Sequence, residues 1–292
     1  MSEIERICDY EGSDYRTRFW ENQGREYEDQ VERIALRRLM PATGGTLLDV
    51  GAGFGRYADE FYGYDKVVLM DYSASLLREA REHLGNDPRF VYVAANWYQL
   101  PFVDGLFDTM VQIRTIHHAE NVPHLFHELS RVAAPDGDYI LDFANKLNLK
   151  AIARYMLRRQ SWSPFTREPV EFVEMNFNFN PDYIRDNLRV AQFKPGRHLT
   201  TSHYRMSIFK RTIPTSVLVK LDSMAQKTGN WWQLTPSVFI HSEHPTSNDP
   251  APIGNFFACP TCKTPIYETD GVLPCSACDK VWRVEDGVYI FK

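Results

Sequence analysis

Leu47-Leu48-Asp49-Val50-Gly51-Ala52-Gly53-Phe54-Gly55 is the stretch whose reading decides the fold. An apolar run that stops at clustered glycines reads as a buried strand entering a tight turn, because glycine readily accepts the positive φ such turns demand. The G-x-G-x-G spacing differs from the G-x-G-x-x-G of a dinucleotide turn, and Arg56 stands where the third glycine of that motif would fall. The Gly-Lys-Ser/Thr ending of a phosphate-cradling P-loop is absent as well. Asp49, two places before Gly51, adds negative charge beside the turn, which suits an ammonium or sulfonium better than a pyrophosphate. Asp71 follows Gly51 by 20 residues, the place from which a carboxylate reaches both hydroxyls of a ribose. Asn96 and Trp97 offer an amide and a flat face for an adenine.

Outward from this turn, strands are expected at 46–50, 66–70, 90–94, 109–113 and 139–143, with amphipathic helices at 25–40, 75–84 and 125–133. Such alternation predicts an α/β fold with a doubly wound parallel sheet. Past residue 143 the regularity breaks into a helical pattern at 149–157 and a stretch bearing Pro164, Pro169, Phe172, Phe177 and Phe179. A helix at 181–190, a strand at 198–208, a helix at 214–226 and a strand at 234–241 follow, and residues 243–252 read as a polar, proline-rich linker. The expected organisation is a helical cap over 1–44, a main domain over 45–244 with an insertion at 145–180, a linker at 245–255 and a small module at 256–292.

The 292 residues, 43% hydrophobic and 24% charged, suffice for one sizeable core plus a small appendage. No run approaches the ~20 apolar residues of a membrane span. The acidic, aromatic start (Glu5, Asp9, Tyr10, Glu11) is unlike a signal peptide, so a cytoplasmic location is expected. The net charge of −5 is unevenly spread: residues 1–150 hold 16 basic against 25 acidic side chains, residues 151–245 hold 13 against 7. The basic segment either attracts an anionic substrate or complements the acidic body.

The segments LLDVGAGFGRYADEF, VVLMDYSASLLREAREHL, NWYQLPFVDGLFDTMV and LFHELSRVAAPDGDYILDF, in that order over about residues 46–144, resemble the class I S-adenosylmethionine-dependent methyltransferases, in the branch of quinone-biosynthesis and small-molecule enzymes. The resemblance implies a Rossmann-like sheet and methyl transfer from S-adenosyl-L-methionine. It implies that Asp49, Gly51, Gly53 and Gly55 hold the methionine end and that Asp71 takes the ribose with Tyr72 beside the adenine. Asn96 and Trp97 complete the adenine site, and Arg114 joins the cofactor-binding set. Two departures stand out: Asn96 where many relatives carry Asp, and Pro135-Asp136-Gly137 where Pro-Gly-Gly is usual. The loop Arg114–Ala119 would face methyl and acceptor, with His118 and then His117 as general-base candidates; the alternative is that they only shape the loop.

No Asn/Asp-Pro-Pro-Tyr/Phe turn follows the fourth strand, which sets aside adenine N6 and glutamine amides. The one spare cysteine, Cys8, lies outside the place a cytosine-C5 nucleophile would occupy. Specificity would reside in 10–27, with Tyr15, Phe19 and Trp20, and in 145–180; Arg158, Arg159 and Arg167 are either anion-binding candidates or solvated helix-face charges. The expected activity is methylation of a small-molecule or lipid-like acceptor. The alternatives are base methylation of tRNA or rRNA, and a non-catalytic cofactor-binding scaffold.

Cys259-Pro-Thr-Cys262 and, after 12 residues, Cys275-Ser-Ala-Cys278 form two knuckles spaced for a tetrahedral thiolate site. Four protein ligands leave no open position, which predicts a structural Zn2+; a redox dithiol pair or an iron–sulfur site are the alternatives. Residues 256–292 resemble the small zinc-ribbon activator subunits of tRNA, rRNA and release-factor methyltransferases, down to the tail Trp282-Arg283-Val284-Glu285-Asp286-Gly287. That resemblance implies a ribbon packed on its own or a neighbouring methyltransferase domain.

Overall fold

Val67, Val68, Leu69 and Met70 are all buried, so both faces of their strand are covered, as in the interior of a parallel sheet. The computed structural model describes residues 5–20, 23–245 and 248–292, apart from the side chains of Tyr15 and Phe19. Helices α1 (Tyr15–Phe19) and α2 (Glu26–Leu39) precede five parallel strands: β1 (Gly44–Val50), β2 (Tyr64–Asp71), β3 (Phe90–Ala95), β4 (Phe107–Gln112) and β5 (Ala133–Ala144). Their spatial order is β3-β2-β1-β4-β5. The order reverses between β1 and β4, and the diverging carboxyl ends of those strands leave a crevice.

Local chemistry sets the crossover helices. Ser73 caps α3 (Ala74–Leu84) by accepting from the Leu76 N–H, and Asn121 caps α4 (Val122–Val132) through the His124 N–H with Pro123 in the first turn. On α4, Leu125, Phe126, Leu129 and Val132 are fully buried at helical spacing, each contributing about 2 kcal/mol of burial energy. Beyond β5 come α5 (Leu149–Met156), the hairpin β6 (Val170–Val173) and β7 (Asn176–Asn178), α6 (Pro181–Val190), β8 (Lys194–Thr201), α7 (Ser207–Thr212), α8 (Thr215–Ala225) and β9 (Ser237–Glu243). β9 lies antiparallel between β5 and β8, which completes a Rossmann-like doubly wound sheet.

The C-terminal module, β10 (Phe257–Ala258), β11 (Pro265–Ile266), β12 (Val272–Pro274), β13 (Val281–Glu285) and β14 (Val288–Phe291), adds its last three strands to that same sheet. β14 pairs in parallel with β3, from Val288 opposite Tyr92 to Phe291 opposite Ala95, giving ten strands. Phe257, Ile266, Leu273 and Phe291 belong to the same buried cluster as Leu48, Val93 and Phe102. Lys263 Nζ lies 2.7 Å from Glu128, and Arg78 pairs with Asp286 at 3.2 Å.

Four expectations need correction. The strand expected at 198–208 ends at Thr201; Ser202 takes a left-handed φ of 65°, the chain turns, and α7 begins at Ser207. Asp222 makes that turn by accepting from the backbone N–H of His203 at 2.8 Å. The cap is helical only over α1 and α2, and residues 5–14 form an irregular strap bonded to the main domain. The turn at 135–137 lies inside β5, where Asp136 (φ 58°) sits in a bulge opposite the Phe107–Thr109 pairing. The linker is tied down where it is described: Asn248 donates to the carbonyls of Ser130 and Ala133, and the Ala251 N–H to that of Gly105. A Cβ on Gly105 would stand 2.1 Å from the Asp249 carbonyl oxygen, so this close approach requires glycine.

Candidate functional site

A cavity lies in the crevice at the carboxyl ends of β1 and β4, the place where open α/β sheets bind their ligands. Its walls include Asp49, Gly51, Gly53, Asp71, Tyr72, Trp97, Arg114 and His118. Gly51 has φ 77°, and a Cβ there would lie 2.4 Å from Thr115 Cγ2, so glycine lets the turn after β1 touch the loop after β4. Asp71 ties the turn to β2: one carboxylate oxygen accepts from the Gly53 N–H at 2.8 Å, the other from the Ser73 N–H at 2.9 Å.

Two polar groups of the wall lack partners among the described residues: Asp49 Oδ2 and Trp97 Nε1, both buried. Buried polar atoms are ordinarily bonded, so each marks a place for a ligand group. Burial pushes the Asp49 carboxyl up to about 7, with Asp71 adding to the rise and Arg56 opposing it. A cationic ligand beside Asp49 would favour its charged form. A carboxyl able to accept a positive charge, a glycine turn, a second carboxylate and an indole fit S-adenosylmethionine part by part.

His118 is nine-tenths buried, with Nδ1 2.7 Å from the Met175 carbonyl and Nε2 3.2 Å from the Tyr10 hydroxyl. A carbonyl only accepts, so the proton sits on Nδ1 and the Nε2 lone pair takes the Tyr10 O–H. Burial lowers the His118 pKa against the opposing pull of the Met175 carbonyl, and the imidazole is neutral. Met175, at φ 54° in the turn between β6 and β7, is held by its own N–H on Glu171 at 2.8 Å. His117, its ring centroid 4.0 Å from that of His118, does not line the cavity, and burial pushes its pKa well down.

Other expected residues fall elsewhere. Asn96 caps a local turn, accepting from the Tyr98 N–H at 2.9 Å, and is outside the cavity lining. Gly55 also lies outside it, where a Cβ would press Leu84, Ala80 and Leu69 at 3.3–3.4 Å. Arg114 reaches the cavity, but its guanidinium is engaged by Glu32. Arg167 pairs with Asp186, and Arg158 and Arg159 are exposed and outside the lining. Trp20 lines the cavity with the Arg56 guanidinium 3.6 Å from its ring centroid; the side chains of Tyr15 and Phe19 lie outside the described residues.

Sequence reading missed Glu32, Cys8 and the role of the strap. Glu32 is fully buried; burial would raise its pKa, and Arg114 and Arg56 overcome this to hold it at about 2. Its only signal is an acid beside the buried stripe of α2. Cys8 lines the cavity, and burial raises its pKa, which keeps it a thiol. The strap closes over the crevice: Glu5 meets His124 at 2.7 Å, Arg6 bridges Glu120 and Glu171, and Glu11 accepts from the Ala74 and Ser75 N–H groups at the start of α3. The ribbon reaches the same place. Lys292 Nζ lies 3.1 Å from Glu11 and 4.5 Å from the Tyr72 ring centroid.

The four sulfurs of Cys259, Cys262, Cys275 and Cys278 lie within 4.8 Å of one another, with three pairs at 3.4–3.7 Å. Zinc–sulfur bonds of ~2.3 Å in a tetrahedron put sulfurs about 3.8 Å apart, so the donor set fits zinc.

Residues 48–141 match the family model described as Methyltransferase domain. That stretch, about a third of the chain, is similar to this domain family. Two curated relatives resemble it there: malonyl-[acyl-carrier protein] O-methyltransferase of Legionella pneumophila, 30% identical over 109 residues (36% of this chain, 37% of the relative), and demethylmenaquinone methyltransferase of Clavibacter sepedonicus, 30% identical over 115 residues (39% and 47%). The matches thus span between a third and a half of those relatives. Among solved structures, a chain from the complex between the Haloferax volcanii Trm112 methyltransferase activator and a candidate methyltransferase superposes with TM-score 0.53 at 14% identity, covering 77% of this chain and 95% of that one. The [4+2]-cyclase SpnF superposes equally well, with TM-score 0.53 at 16% identity over 78% of this chain and 87% of that one. The methyltransferase domain therefore has the class I methyltransferase fold, and its chemistry has to be argued from its site.

Proposed function

We propose that the protein is an S-adenosylmethionine-dependent methyltransferase of a small-molecule or lipid-like acceptor, braced by a structural zinc ribbon. The observation that carries the reading is the unpartnered, charge-ready Asp49 in the glycine-turn cavity. Asp49 and the turn at Gly51 and Gly53 would hold the methionine end, Asp71 the ribose, Tyr72 and Trp97 the adenine. When bound, the cofactor supplies an electrophilic methyl; the chain aligns the acceptor, excludes water with its strap and takes a proton. The proton leaves the acceptor for Tyr10 Oη as the Tyr10 proton passes to Nε2 of His118, whose Nδ1–H stays on Met175. Malonyl-acyl-carrier and demethylmenaquinone relatives support an acceptor that is small or carried on a lipid-like tail.

Zinc would be held by Cys259, Cys262, Cys275 and Cys278 with no open position, so its role is folding. A fused ribbon paired with β3 would act in cis as a separate activator does in trans. RNA as acceptor finds less support: in the basic segment Arg167 and Arg189 pair with Asp186, Arg185 with Asp182 and Lys210 with Glu28, and the cations left over, Arg154, Arg158 and Arg159, lie among exposed apolar side chains such as Met156 and Leu157.

Calorimetry with S-adenosylmethionine should give one site whose affinity rises as pH passes upward through about 7, because below that pH Asp49 keeps its proton and offers no charge. The sign is opposite for the ligand-free fold. A carboxyl whose folded pKa exceeds its unfolded ~3.9 stabilises below that value, and the benefit is lost as pH climbs to about 7. Methyl-labelled cofactor with cell extract should then label the organic-soluble or small-molecule pool. Absence of cofactor binding at pH 8, or label confined to nuclease-sensitive material, defeats the reading.

His118→Asn should lower turnover by about a hundredfold, the usual scale of a proton-transfer residue, while cofactor affinity stays within a factor of about three. A variant that loses affinity and keeps turnover would assign His118 to cofactor binding.

A further inference from the structure

α5 carries Leu149, Ile152, Ala153 and Met156 at the i, i+3, i+4, i+7 spacing that in a globular helix faces a core. Here that stripe faces outward. Ala151 is the one buried residue of the helix, while Leu149 is 62% and Met156 75% exposed. The apolar surface continues into Leu157, 64% exposed, and into Phe165, whose ring meets Tyr155 at 6.2 Å between centroids. At the other end the Leu149 N–H bonds the Leu234 carbonyl, and Asn145 Nδ2 that of Gln233, which brings the exposed Trp232 to the start of α5. A contiguous apolar patch of this kind marks an interaction site.

Cations ring it. Lys150 and Arg154 flank the stripe and Arg158 and Arg159 follow it, and among the described residues none of their side chains has an ion pair or hydrogen bond. The other arginines of the basic segment nearby are spent on acids, as Arg167 and Arg189 are on Asp186. Four unpaired cations beside Leu, Met and Trp side chains are the composition of a helix that lies in the plane of an anionic lipid surface. A symmetric contact with a second copy would set these cations against one another. No described helix is long and apolar enough to cross a membrane, so the surface would be touched, not spanned.

We propose that α5 and its flanks dock the protein on an anionic membrane surface, its apolar stripe entering the headgroup boundary and its cations meeting lipid phosphates. This deepens the function proposed above and rests on it for the consequence that matters. α5 leaves the sheet at the carboxyl end of β5, the same edge that holds the cavity, so docking would bring the crevice to an acceptor dissolved in the bilayer.

Flotation of the zinc-loaded full chain with vesicles of phosphatidylcholine alone, or with about a third phosphatidylglycerol, tests this. Binding is expected to the anionic vesicles only, weakening as salt shortens the ~8 Å screening length. Each arginine removed should lower partition about fivefold, so Arg154→Ala/Arg158→Ala/Arg159→Ala should lower it about a hundredfold. Met156→Asp should release the protein with those arginines intact. Cofactor affinity measured alongside should not change, which separates failure of docking from failure of the cofactor site. No vesicle binding, equal binding to neutral vesicles, or capture of an acidic carrier protein in place of vesicles overturns the proposal.

Discussion

Withdrawing zinc with a chelator, or replacing Cys275 by Ser, should lower the melting temperature by on the order of 10 °C and collapse cofactor binding with it. The ribbon's own core amounts to little beyond Phe257, Ile266, Leu273 and Phe291 with the buried Cys259 and Cys275, too few side chains to order a module of this size alone. Zinc on the four cysteines would cross-link the two knuckles, and structural zinc supplies about 10–16 kcal/mol in isolated finger peptides. Without it, β14 has no fixed geometry and leaves β3 as an edge strand, while Phe102 loses its packing partner Phe257 at 6.0 Å. A loss of roughly 4 kcal/mol at ~2–4 °C per kcal/mol gives the stated shift. Cofactor affinity follows because Lys292, beside Tyr72 and paired with Glu11, directly follows β14. Scanning calorimetry with chelator and zinc add-back reads the first effect and titration calorimetry the second. A melting temperature indifferent to zinc would remove the structural role.

The parallel core was legible because each strand is a local apolar run bounded by polar residues. Residues 66–70 and 90–94, read from the chain, differ from β2 and β3 by two residues or fewer at each end. Long-range pairing was not legible. β14 joins β3 across almost 200 residues, and an apolar edge strand carries no mark of its partner. The overextended strand at 198–208 failed for a tertiary reason: Asp222, buried on α8, bonds the His203 N–H and its Nδ1 and accepts from the Tyr27 hydroxyl, turning the chain where the pattern runs on. The extended strap carries too few periodic apolar residues to declare a register.

In the site, the glycine turn and Asp71 could be brought together from the sequence because their places are set by spacing along the chain, and Gly51, Gly53 and Asp71 do line one cavity. Asn96 could not, since its side chain chose a bond two residues away over the cavity. Arg114 lines the cavity, but the acid that engages its guanidinium, Glu32, sits 82 residues earlier on α2 and left no mark near the loop. Cys8 misled because the strap that carries it has no regular structure, and only its folded path brings it to the crevice.

Asp71→Ala should abolish measurable cofactor binding while leaving a folded protein. Two losses combine. The Gly53 and Ser73 N–H groups lose the acceptor that fixes the turn and the start of α3, at about 1–3 kcal/mol each where they stay dry. The carboxylate's bonds to a ribose, charge-assisted and worth about 1.5–3 kcal/mol apiece, disappear as well. The ribose bonds alone, at least about 3 kcal/mol for two of them, weaken binding by more than a hundredfold. Asp71→Asn separates the parts, because an amide keeps one acceptor for the turn and loses the charge; its affinity should fall between the two. Circular dichroism secures the fold, and β14 pairs with β3 from the far side of the sheet whatever stands at position 71. An Asp71→Ala protein that binds S-adenosylmethionine within about threefold of the parent would place the ribose elsewhere, and the glycine turn alone would then have to account for the cavity.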